Sequence, residues 1–419
     1  MVDHSDAHKL SVAPMMAVTD RYFRYLFRQL SRRSKLYTEM YVDKTLLHQQ
    51  DNLHNFLSHR AAEGPLAVQL GGNDPETLAQ AAEMCEQWAF SEINLNCGCP
   101  SSKVSDRCFG ARLMLDPERV REITYNMIRK VTRTPVTVKC RIGVDDKDSY
   151  EELTAFVRAV KSAGVDHVVV HARKCLLNGL STSANRTVPP LRYDVVHRLA
   201  LEFPELEIVL NGGINSLGAA NDHILGAREW GGYGDGVAGV MVGRATYFDP
   251  WTFRHTDSAI FGATDPGFTR REIMERCVDR FTDIMQEDRR QGPERNRNRH
   301  LCLGTVLKPL GYLSSGAKDS RKFRQELSRA VQAQSKVDPD TDDFREAVER
   351  AMALLSESVL DEPVGSPPES AFGTHLLERR SGKDRFRFLV VSAAAILQAR
   401  VFPIRSLTCV ICVLAMLSV

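Results

Sequence analysis

The feature that most restricts the fold of this chain is a repeated alternation between short apolar segments and segments with helical periodicity. Each apolar segment ends at glycine, proline or a polar side chain, and such runs are typical of strands buried on both faces. Most of them precede a segment whose apolar spacing predicts a helix. The eight candidate strands are residues 11–14, 36–40, 65–70, 92–96, 135–143, 166–173, 207–213 and 239–244.

Eight β/α units within about 240 residues match the size of a TIM (β/α)8 barrel, so the pattern predicts an α/β fold of this type. A doubly wound open sheet is the structural alternative. It is disfavoured because no G-x-G-x-x-G sequence follows the first strand. Thr19 is predicted to cap the first helix, which carries the apolar stripe Phe23, Leu26, Phe27 and Leu30.

From about residue 269 the pattern changes to helices alone. Two apolar stripes at helical spacing mark them, namely Ile273, Cys277, Phe281 and Ile284, and Phe344, Val348, Met352 and Leu355. Residues 361–382 are rich in Pro, Ser, Gly and Glu and indicate a linker. The sequence therefore predicts a TIM barrel over residues 1–255 and a smaller all-α helical domain over residues 265–360. A poorly defined linker and apolar tail over residues 361–419 is predicted to be disordered or loosely packed.

The apolar tail is not expected to cross a membrane. Its last unbroken run, residues 406–419, is shorter than the roughly 17–25 residues that a spanning helix needs. An interfacial anchor and a tail that is not part of the folded protein both remain open. Cys409 and Cys412 form a C-x-x-C pair, but a second pair of ligands is not near it in sequence, so no metal site is predicted.

Composition sets further bounds. The chain is 43% hydrophobic and 26% charged, which is ordinary for a globular protein with a sizeable core. Its formal net charge is +2, so any nucleic-acid binding must come from local basic patches. The ten cysteines have no framework spacing and the N-terminus does not resemble a signal peptide, so a reducing, cytoplasmic location is expected.

One basic patch is present in the helical region. A charge run of this kind is often only a solvated helix face, and its meaning depends on the rest of the site. The patch consists of Arg289, Arg290, Arg295, Arg297, Arg299, Lys308, Lys318, Arg321, Lys322 and Arg324.

Polar side chains stand at the ends of nearly all the predicted strands. In a TIM barrel these ends converge on one mouth, where active sites lie. Each residue alone has a structural explanation; for example, Lys139 could pair with Glu39. The collection as a whole favours a functional mouth. It consists of Gln69, Asn96, Cys99, Lys139, Arg141, His171, Arg173, Asn211 and Arg244.

The seventh and eighth strands end in sequences suited to a phosphate. They are Asn211-Gly212-Gly213 and Gly243-Arg244, and glycine allows backbone N–H groups to approach an anion closely. Arg244 can add a charge-assisted hydrogen bond. A phosphorylated cofactor is therefore the leading ligand. Lys139 and His171 would point inward, where a flavin ring needs cationic or donor partners.

Two thiols, Cys97 and Cys99, follow the fourth strand in the sequence E-I-N-L-N-C-G-C-P. A cysteine held at a strand end is either a proton donor or nucleophile, or an inert small apolar residue. The local pattern leaves both readings open for each thiol.

Several segments, in unbroken order over about residues 10–330, together resemble the tRNA-dihydrouridine synthases. The matching sequences include S-V-A-P-M-M at 11–16, A-V-Q-L-G-G at 67–72, E-I-N-L-N at 92–96 followed by G-C-P at 98–100, and V-T-V-K-C-R-I-G at 136–143. H-A-R-K at 171–174, N-G-G-I at 211–214 and G-V-M-V-G-R at 239–244 complete the set. The stretch 185–191 makes the chain similar to the A type of this family.

The resemblance implies FMN as cofactor, NADPH as reductant and a C-terminal helical domain that binds tRNA. It implies that specific D-loop uridines are reduced to 5,6-dihydrouridine, with a hydride to C6 and a proton from Cys99 to C5. Cys97 would then be a bystander. The implied FMN contacts are Pro14, Met15, Met16, Gln69, Lys139, His171, Asn211, Gly212, Gly213, Gly243 and Arg244. The implied contacts to uracil or tRNA are Asn96, Arg141, Arg173, Arg186, Arg321 and Arg324.

Two other functions compete with this one. The first is an FMN barrel enzyme that reduces a free pyrimidine or a small enone, and the second is a tRNA-binding factor without turnover. The chain also departs from the family pattern, since Lys308-Pro309 replaces the usual Arg-His pair and Gln325 replaces a basic residue. A short insertion at 317–320 and a glycine-rich insertion at 231–236 are further differences.

Overall fold

Eight parallel strands wind into a barrel in the computed structural model, which describes residues 6–100, 109–226, 236–291, 302–333 and 343–373. Each strand pairs with a neighbour in the order β1-β8-β7-β6-β5-β4-β3-β2. The strands are β1 (Leu10–Val12), β2 (Leu36–Val42), β3 (Leu66–Gly71), β4 (Glu92–Cys97), β5 (Val136–Arg141), β6 (His167–His171), β7 (Glu207–Asn211) and β8 (Gly239–Val242).

The barrel closes between β1 and the residue that precedes β2. The N–H of Val12 donates to the carbonyl of Lys35 at 2.8 Å, and the N–H of Lys35 donates to the carbonyl of Leu10 at 3.1 Å. With this pairing every strand has a partner on both sides, which removes open sheet edges. The predicted TIM barrel is confirmed.

Side chains alternate between the two faces of the barrel wall, as strand geometry requires. On β4, Ile93, Leu95 and Cys97 belong to the large core between the sheet and the outer helices. A separate small cluster fills part of the barrel interior, and it consists of Ala13, Tyr37, Ala67, Val169, Val209 and Met241. The rest of the interior on β3, β4 and β5 is polar.

Helices cover the outside of the barrel. They are α1 (Arg21–Leu30), α2 (Asp43–His48), α3 (Leu53–Leu57), α4 (Pro75–Glu86), α5 (Pro117–Lys130), α6 (Tyr150–Ser162), α7 (Tyr193–Glu202), α8 (Leu217–Ile224), α9 (Arg244–Phe248) and α10 (Thr256–Phe261). The cap of α1 differs from the prediction. Asp20, not Thr19, accepts hydrogen bonds from the N–H groups of Tyr22 and Phe23. Thr19 instead exchanges hydrogen bonds with the backbone of Met15.

The chain after the barrel is helical. It forms α11 (Arg270–Gln291), α12 (Leu303–Leu307), α13 (Ser320–Ala333), α14 (Asp343–Met352) and α15 (Glu357–Leu360). Both predicted apolar stripes are buried, and Phe281 of α11 packs edge-on against Tyr22 of α1 with ring centroids 5.0 Å apart. None of the described helices is long and apolar enough to cross a membrane.

The chain divides into a compact unit of Met1–Gly373 and a second unit of Thr374–Val419. The second unit lies outside the described residues, and with it residues 374–382 of the predicted linker, the apolar tail, Cys409 and Cys412. Residues 361–373 of the predicted linker are described, and they pack on the barrel unit: Ala371 is buried and its carbonyl accepts the side chain of Asn221 at 2.9 Å. Residues 231–235 of the glycine-rich insertion, and Arg295, Arg297 and Arg299 of the basic patch, also lie outside them.

Candidate active site at the barrel mouth

The carboxyl ends of the strands bring a cluster of polar groups into the barrel mouth. Lys139 on β5 donates to the side-chain oxygen of Asn211 on β7 at 2.9 Å, and Asn211 donates to the carbonyl of Met241 on β8 at 2.7 Å. The alternative pairing of Lys139 with Glu39 is not found. The carboxylate of Glu39 instead accepts the N–H of Ala17 in the loop after β1.

Asn96 organises the loop that carries Cys99. Its side-chain oxygen accepts the N–H of Gly98 at 3.0 Å and the N–H of Cys99 at 2.9 Å. Its side-chain nitrogen donates to Gln69 on β3 at 2.7 Å. The amide of Asn96 thus fixes the backbone of the thiol-bearing loop, and this turn follows directly from the end of β4.

The two neighbouring thiols differ in their surroundings. Cys97 is the last residue of β4, faces the outer core and is fully buried. Burial raises the pKa of Cys97 well above its usual value, so this thiol stays neutral. Cys99 lies beyond the strand and is partly exposed in the mouth. It lies within electrostatic reach of Lys139, Arg141 and Arg186.

The ends of β7 and β8 form a cradle suited to an anion. Gly212 and Gly213 have φ values of 116° and 74°, a region that favours glycine. A Cβ on Gly213 would lie 2.6 Å from both Leu191 and the Tyr193 hydroxyl, so the site also excludes a side chain. The Tyr193 hydroxyl donates to the carbonyl of Gly212 at 2.7 Å and thereby stabilises the turn.

Arg244 and Gly243 complete this cradle on the β8 side. Arg244 starts α9, its side chain is exposed, and its guanidinium donates to the carbonyl of Arg186 at 3.2 Å. Met15, in the loop after β1, has its sulfur 4.0 Å from the Cβ position of Gly243. The cradle therefore combines backbone that a ligand can approach closely with an exposed cation, and a phosphate group fits this donor set.

The mouth is strongly cationic. Lys139, Arg141, Arg173, Arg186 and Arg244 gather there, and none of them forms an ion pair with a carboxylate in the described ranges. Burial lowers the pKa of Lys139 to about 7, with a smaller contribution from Arg141. Unpaired cations of this density indicate an anionic ligand.

His171 ends β6 inside the same mouth. Burial, with the charges of Arg141 and Lys139 beside it, holds the pKa of His171 well below its usual value, so the ring is neutral. Its Nδ1 is buried without a hydrogen-bond partner among the residues that the structure describes. A buried nitrogen in this position is available to a bound ligand.

Arg141, Arg173 and Arg186 are at the mouth but differ in what they bind. Arg141 is buried and donates to three backbone carbonyls, those of Gly98, Lys174 and Asn185, at 2.9, 3.0 and 3.1 Å. It thereby ties the loops after β4 and β6 together. Arg173 donates to the carbonyl of Pro189, whereas the side chain of Arg186 is exposed.

The loop after β1 contacts the helical region. Pro14 and Met15 are partly buried, and Met16 is 62% exposed. Ala17 has a positive φ of 57°, and its carbonyl accepts the ammonium of Lys308 at 2.6 Å. Lys308, which replaces the usual Arg of the family pattern, therefore joins the helical region to the loop after β1 at the mouth.

The basic helix α13 presents its two candidate arginines differently. Arg321 is exposed, whereas Arg324 is partly buried, donates to the Ser320 hydroxyl at 2.6 Å and lies over the Tyr312 ring at 5.8 Å. Phe248 at the end of α9 is 49% exposed and packs edge-on against Tyr312. The exposed groups here are therefore a cation, Arg321, and an aromatic ring, Phe248, and both kinds of group are typical of surfaces that bind single-stranded nucleic acid.

Sequence reasoning missed two residues that shape the site. Tyr193 supports the Gly212 turn, and Asn185, fully buried, pins the loop after β6 by bonding both backbone groups of Leu176. The pattern gave no signal for Tyr193. Asn185 lies next to Arg186 in the stretch 185–191 that resembles the A type of the family, but the sequence does not show that its side chain bonds the backbone of the loop after β6.

A (β/α)8 barrel with a phosphate cradle and a partly exposed thiol in one cationic mouth has the features of a cofactor-dependent enzyme. Residues 11–352 match the family model described as dihydrouridine synthase (Dus), and the chain belongs to this family. Its members reduce uridines in tRNA to dihydrouridine and are flavoprotein oxidoreductases of tRNA processing. The resemblance predicted from the motifs is confirmed.

The chain is similar to several curated proteins named tRNA-dihydrouridine(20/20a) synthase. The protein from Pseudomonas putida is 42% identical over 325 residues, which cover 78% of this chain and 89% of that protein. The protein from Synechocystis sp. is 44% identical, with 71% and 84% covered. The protein from Xanthomonas axonopodis pv. citri is 47% identical, with 77% and 89% covered.

Among solved structures, a chain of a 2-naphthoyl-CoA reductase complex aligns with a TM-score of 0.45 and 10% identity. The alignment covers 61% of this chain and 50% of that chain. This likeness is too distant to inform function.

Proposed function

We propose that this chain reduces the C5–C6 bond of a D-loop uridine in tRNA and that Cys99 is the proton donor. The observation that carries the assignment is the position of Cys99, a partly exposed thiol fixed by Asn96 in a cationic mouth beside the phosphate cradle. The names of the relatives support positions 20 and 20a as targets.

The cofactor that fits the mouth is FMN. Gly212, Gly213, Gly243 and Arg244 would hold its phosphate, because these groups supply backbone donors and a cation. The other residues that would contact the cofactor are Pro14, Met15, Met16, Gln69, Lys139, His171 and Asn211. When bound and reduced, with NADPH as reductant, FMN supplies the hydride that adds to C6 of uracil.

The residues of the chain supply the rest of the reaction. Uracil is an electron-poor enone, so hydride addition at C6 places negative charge on C5 and O4. The thiol of Cys99 donates its proton to C5, and the resulting thiolate is reprotonated from water. The neighbouring cations stabilise the negative charge as it develops. Arg141 would act by holding the two loops around the base, since its guanidinium is already occupied.

The target base must leave its stack to reach a thiol inside a barrel mouth. Arg173 and Arg186 at the rim, and Arg321 and Arg324 on α13, would hold tRNA phosphates, which contribute affinity without base identity. We assign residues 1–255 to catalysis and residues 265–360 to tRNA binding. A cytoplasmic location is expected for an enzyme with this substrate.

The test is to incubate the purified protein with FMN, NADPH and an unmodified tRNA transcript and to quantify dihydrouridine by mass spectrometry. The proposal expects a yellow protein and dihydrouridine that maps to the D-loop. Reduction of free uracil without tRNA would support a small-molecule reductase instead. A protein that binds tRNA but forms no dihydrouridine with FMN present would support a binding factor.

A further inference from the structure

A continuous chain of hydrogen bonds crosses the barrel interior from the mouth to the opposite end. It starts at the backbone N–H of Cys99 and ends at the carboxylate of Glu92, the first residue of β4. All of its side chains lie on β3, β4 and β5 and are buried. The bonds run from Cys99 N to Asn96 (2.9 Å), Asn96 to Gln69 (2.7 Å), Gln69 to Asn94 (2.8 Å), Asn94 to Thr137 (2.8 Å) and Thr137 to Glu92 (2.6 Å).

Every bond in this interior chain points the same way. Each donor faces Glu92 and each acceptor faces Cys99. The carboxylate of Glu92 can only accept and the backbone N–H of Cys99 can only donate, so both ends require that the bonds be donated from Cys99 toward Glu92. The three side-chain amides between them cannot turn over without losing a bond. The chain therefore determines which atom, oxygen or nitrogen, Gln69 and Asn96 present at the mouth.

Glu92 is held as a carboxylate although it is fully buried. Lys35 lies 2.6 Å from one of its oxygens, and the Tyr37 hydroxyl donates to the other. Burial alone would raise the pKa of Glu92, but Lys35, His167 and the hydrogen bonds lower it to about 2. The acceptor-only end of the interior chain is thus maintained across the ordinary pH range.

We propose that Glu92 and Thr137 are positioning residues for the reaction at the mouth. Through Asn94 they fix the amides of Gln69 and Asn96, and through Asn96 they hold the loop that carries the Cys99 thiol. Neither residue touches the reacting atoms, because both lie at the amino-terminal half of the barrel strands. The inference deepens the proposed function and rests on it for its catalytic consequence.

Thr137 offers the sharpest variant. Thr137→Val keeps the side-chain shape but removes the hydroxyl, so the amide nitrogen of Asn94 loses its acceptor and the link to Glu92 is cut. Thr137→Ser restores the hydroxyl. Thr124→Val is the matched control, because the Thr124 hydroxyl is also buried but bonds only to its own helix, at the carbonyls of Val120 and Arg121.

The first readout needs no activity. Hydrogen–deuterium exchange of a peptide containing Gly98 and Cys99 should be faster in Thr137→Val by about tenfold, since the bonds to Asn96 open more often. The peptides of the outer helices should be unchanged, and Thr137→Ser and Thr124→Val should match the wild type. Unchanged exchange at Gly98 and Cys99 in Thr137→Val would overturn the inference, as would faster exchange spread evenly over the whole protein.

The second readout separates positioning from binding. With reduced holoenzyme and tRNA in a single turnover, Thr137→Val should form dihydrouridine about tenfold or more slowly, because small displacements of a catalytic group cost this much. Its reduction by NADPH should be unchanged, and Thr137→Ser should recover the rate. An unchanged rate in Thr137→Val would contradict the inference. If the wild type forms no dihydrouridine, the proposed function fails, and the exchange measurement alone decides the positioning role.

Discussion

Cys97 and Cys99 are separated by one residue but have different environments. Cys97 shares the outward face of β4 with Ile93 and Leu95, and its thiol is sealed in the core. Cys99 follows the strand, is partly exposed and lies within electrostatic reach of Lys139, Arg141 and Arg186. A proton donor must meet its substrate, so the two thiols should respond differently to substitution.

Cys99→Ala should leave flavin reduction by NADPH intact and lower the rate of dihydrouridine formation by about 100-fold or more, as loss of a general acid does. Cys97→Ala is the matched control and should change this rate by less than about threefold, since it removes a sulfur that is buried in the core outside the barrel wall. Single-turnover measurements with reduced enzyme and tRNA separate the two steps. Equal losses in both variants would show that the proton donor is assigned to the wrong residue.

Lys139 is expected to make the affinity for FMN depend on pH. Its pKa of about 7 reflects burial in the cationic mouth before an anion binds. The proposed cofactor FMN is anionic and would favour the charged ammonium, so its binding would take up a proton once the pH exceeds this value. The affinity for FMN should therefore fall as the pH rises from 7 to 9, by up to about tenfold per unit.

Fluorescence titration of the apoprotein with FMN at several pH values measures this effect. Lys139→Met, which cannot titrate, should bind FMN more weakly at pH 7 and show a flatter pH dependence. Parallel slopes in the wild type and in Lys139→Met would mean that another group controls the affinity.

At the scale of elements, the loops after the strands and the helix α13 have different roles, the first at the thiol and the second at the surface. Arg141 joins Gly98, the residue before Cys99, to Lys174 and Asn185 of the loop after β6, so the described backbone next to the thiol is held in place. Helix α13 instead presents Arg321 to solvent. A backbone held in place suits a catalytic thiol, whereas exposed cations suit contact with the phosphate backbone of a nucleic acid.

Arg321→Ala should weaken tRNA binding and reduce the slope of log affinity against log salt concentration by about one, because one phosphate contact releases about one counterion. Arg329→Ala on the same helix is the control, since Arg329 is compensated by Glu326 at 3.2 Å. Filter binding or fluorescence anisotropy at increasing salt measures both. The same slope in wild type and Arg321→Ala would remove Arg321 from the tRNA interface.

At the scale of the whole molecule, the sequence predicted the barrel and the residues that gather at its mouth. The strand-ending residues Gln69, Lys139, His171 and Asn211 could be found because parallel strands bring their carboxyl ends together whatever the details. The alternation on β4 could also have shown that Cys97 faces outward with Ile93 and Leu95.

The partners of these residues could not be predicted in the same way. Lys139 binds Asn211 from two strands away, and the interior chain links β3, β4 and β5, so both depend on register and barrel closure. Local spacing carries no such information. The predicted cap of α1 was wrong for a simpler reason. Thr19 and Asp20 are adjacent acceptors, and Asp20 has the extended backbone of an N-cap whereas the Thr19 hydroxyl bonds the backbone of Met15.

The most direct test of the central claim is to map dihydrouridine in tRNA from cells that lack this chain and in the same cells carrying the wild type, Cys97→Ala or Cys99→Ala. The account predicts that D-loop dihydrouridine is lost without the chain, that the wild type and Cys97→Ala restore it, and that Cys99→Ala does not. Dihydrouridine that persists without the chain, or that Cys99→Ala restores, would contradict the account.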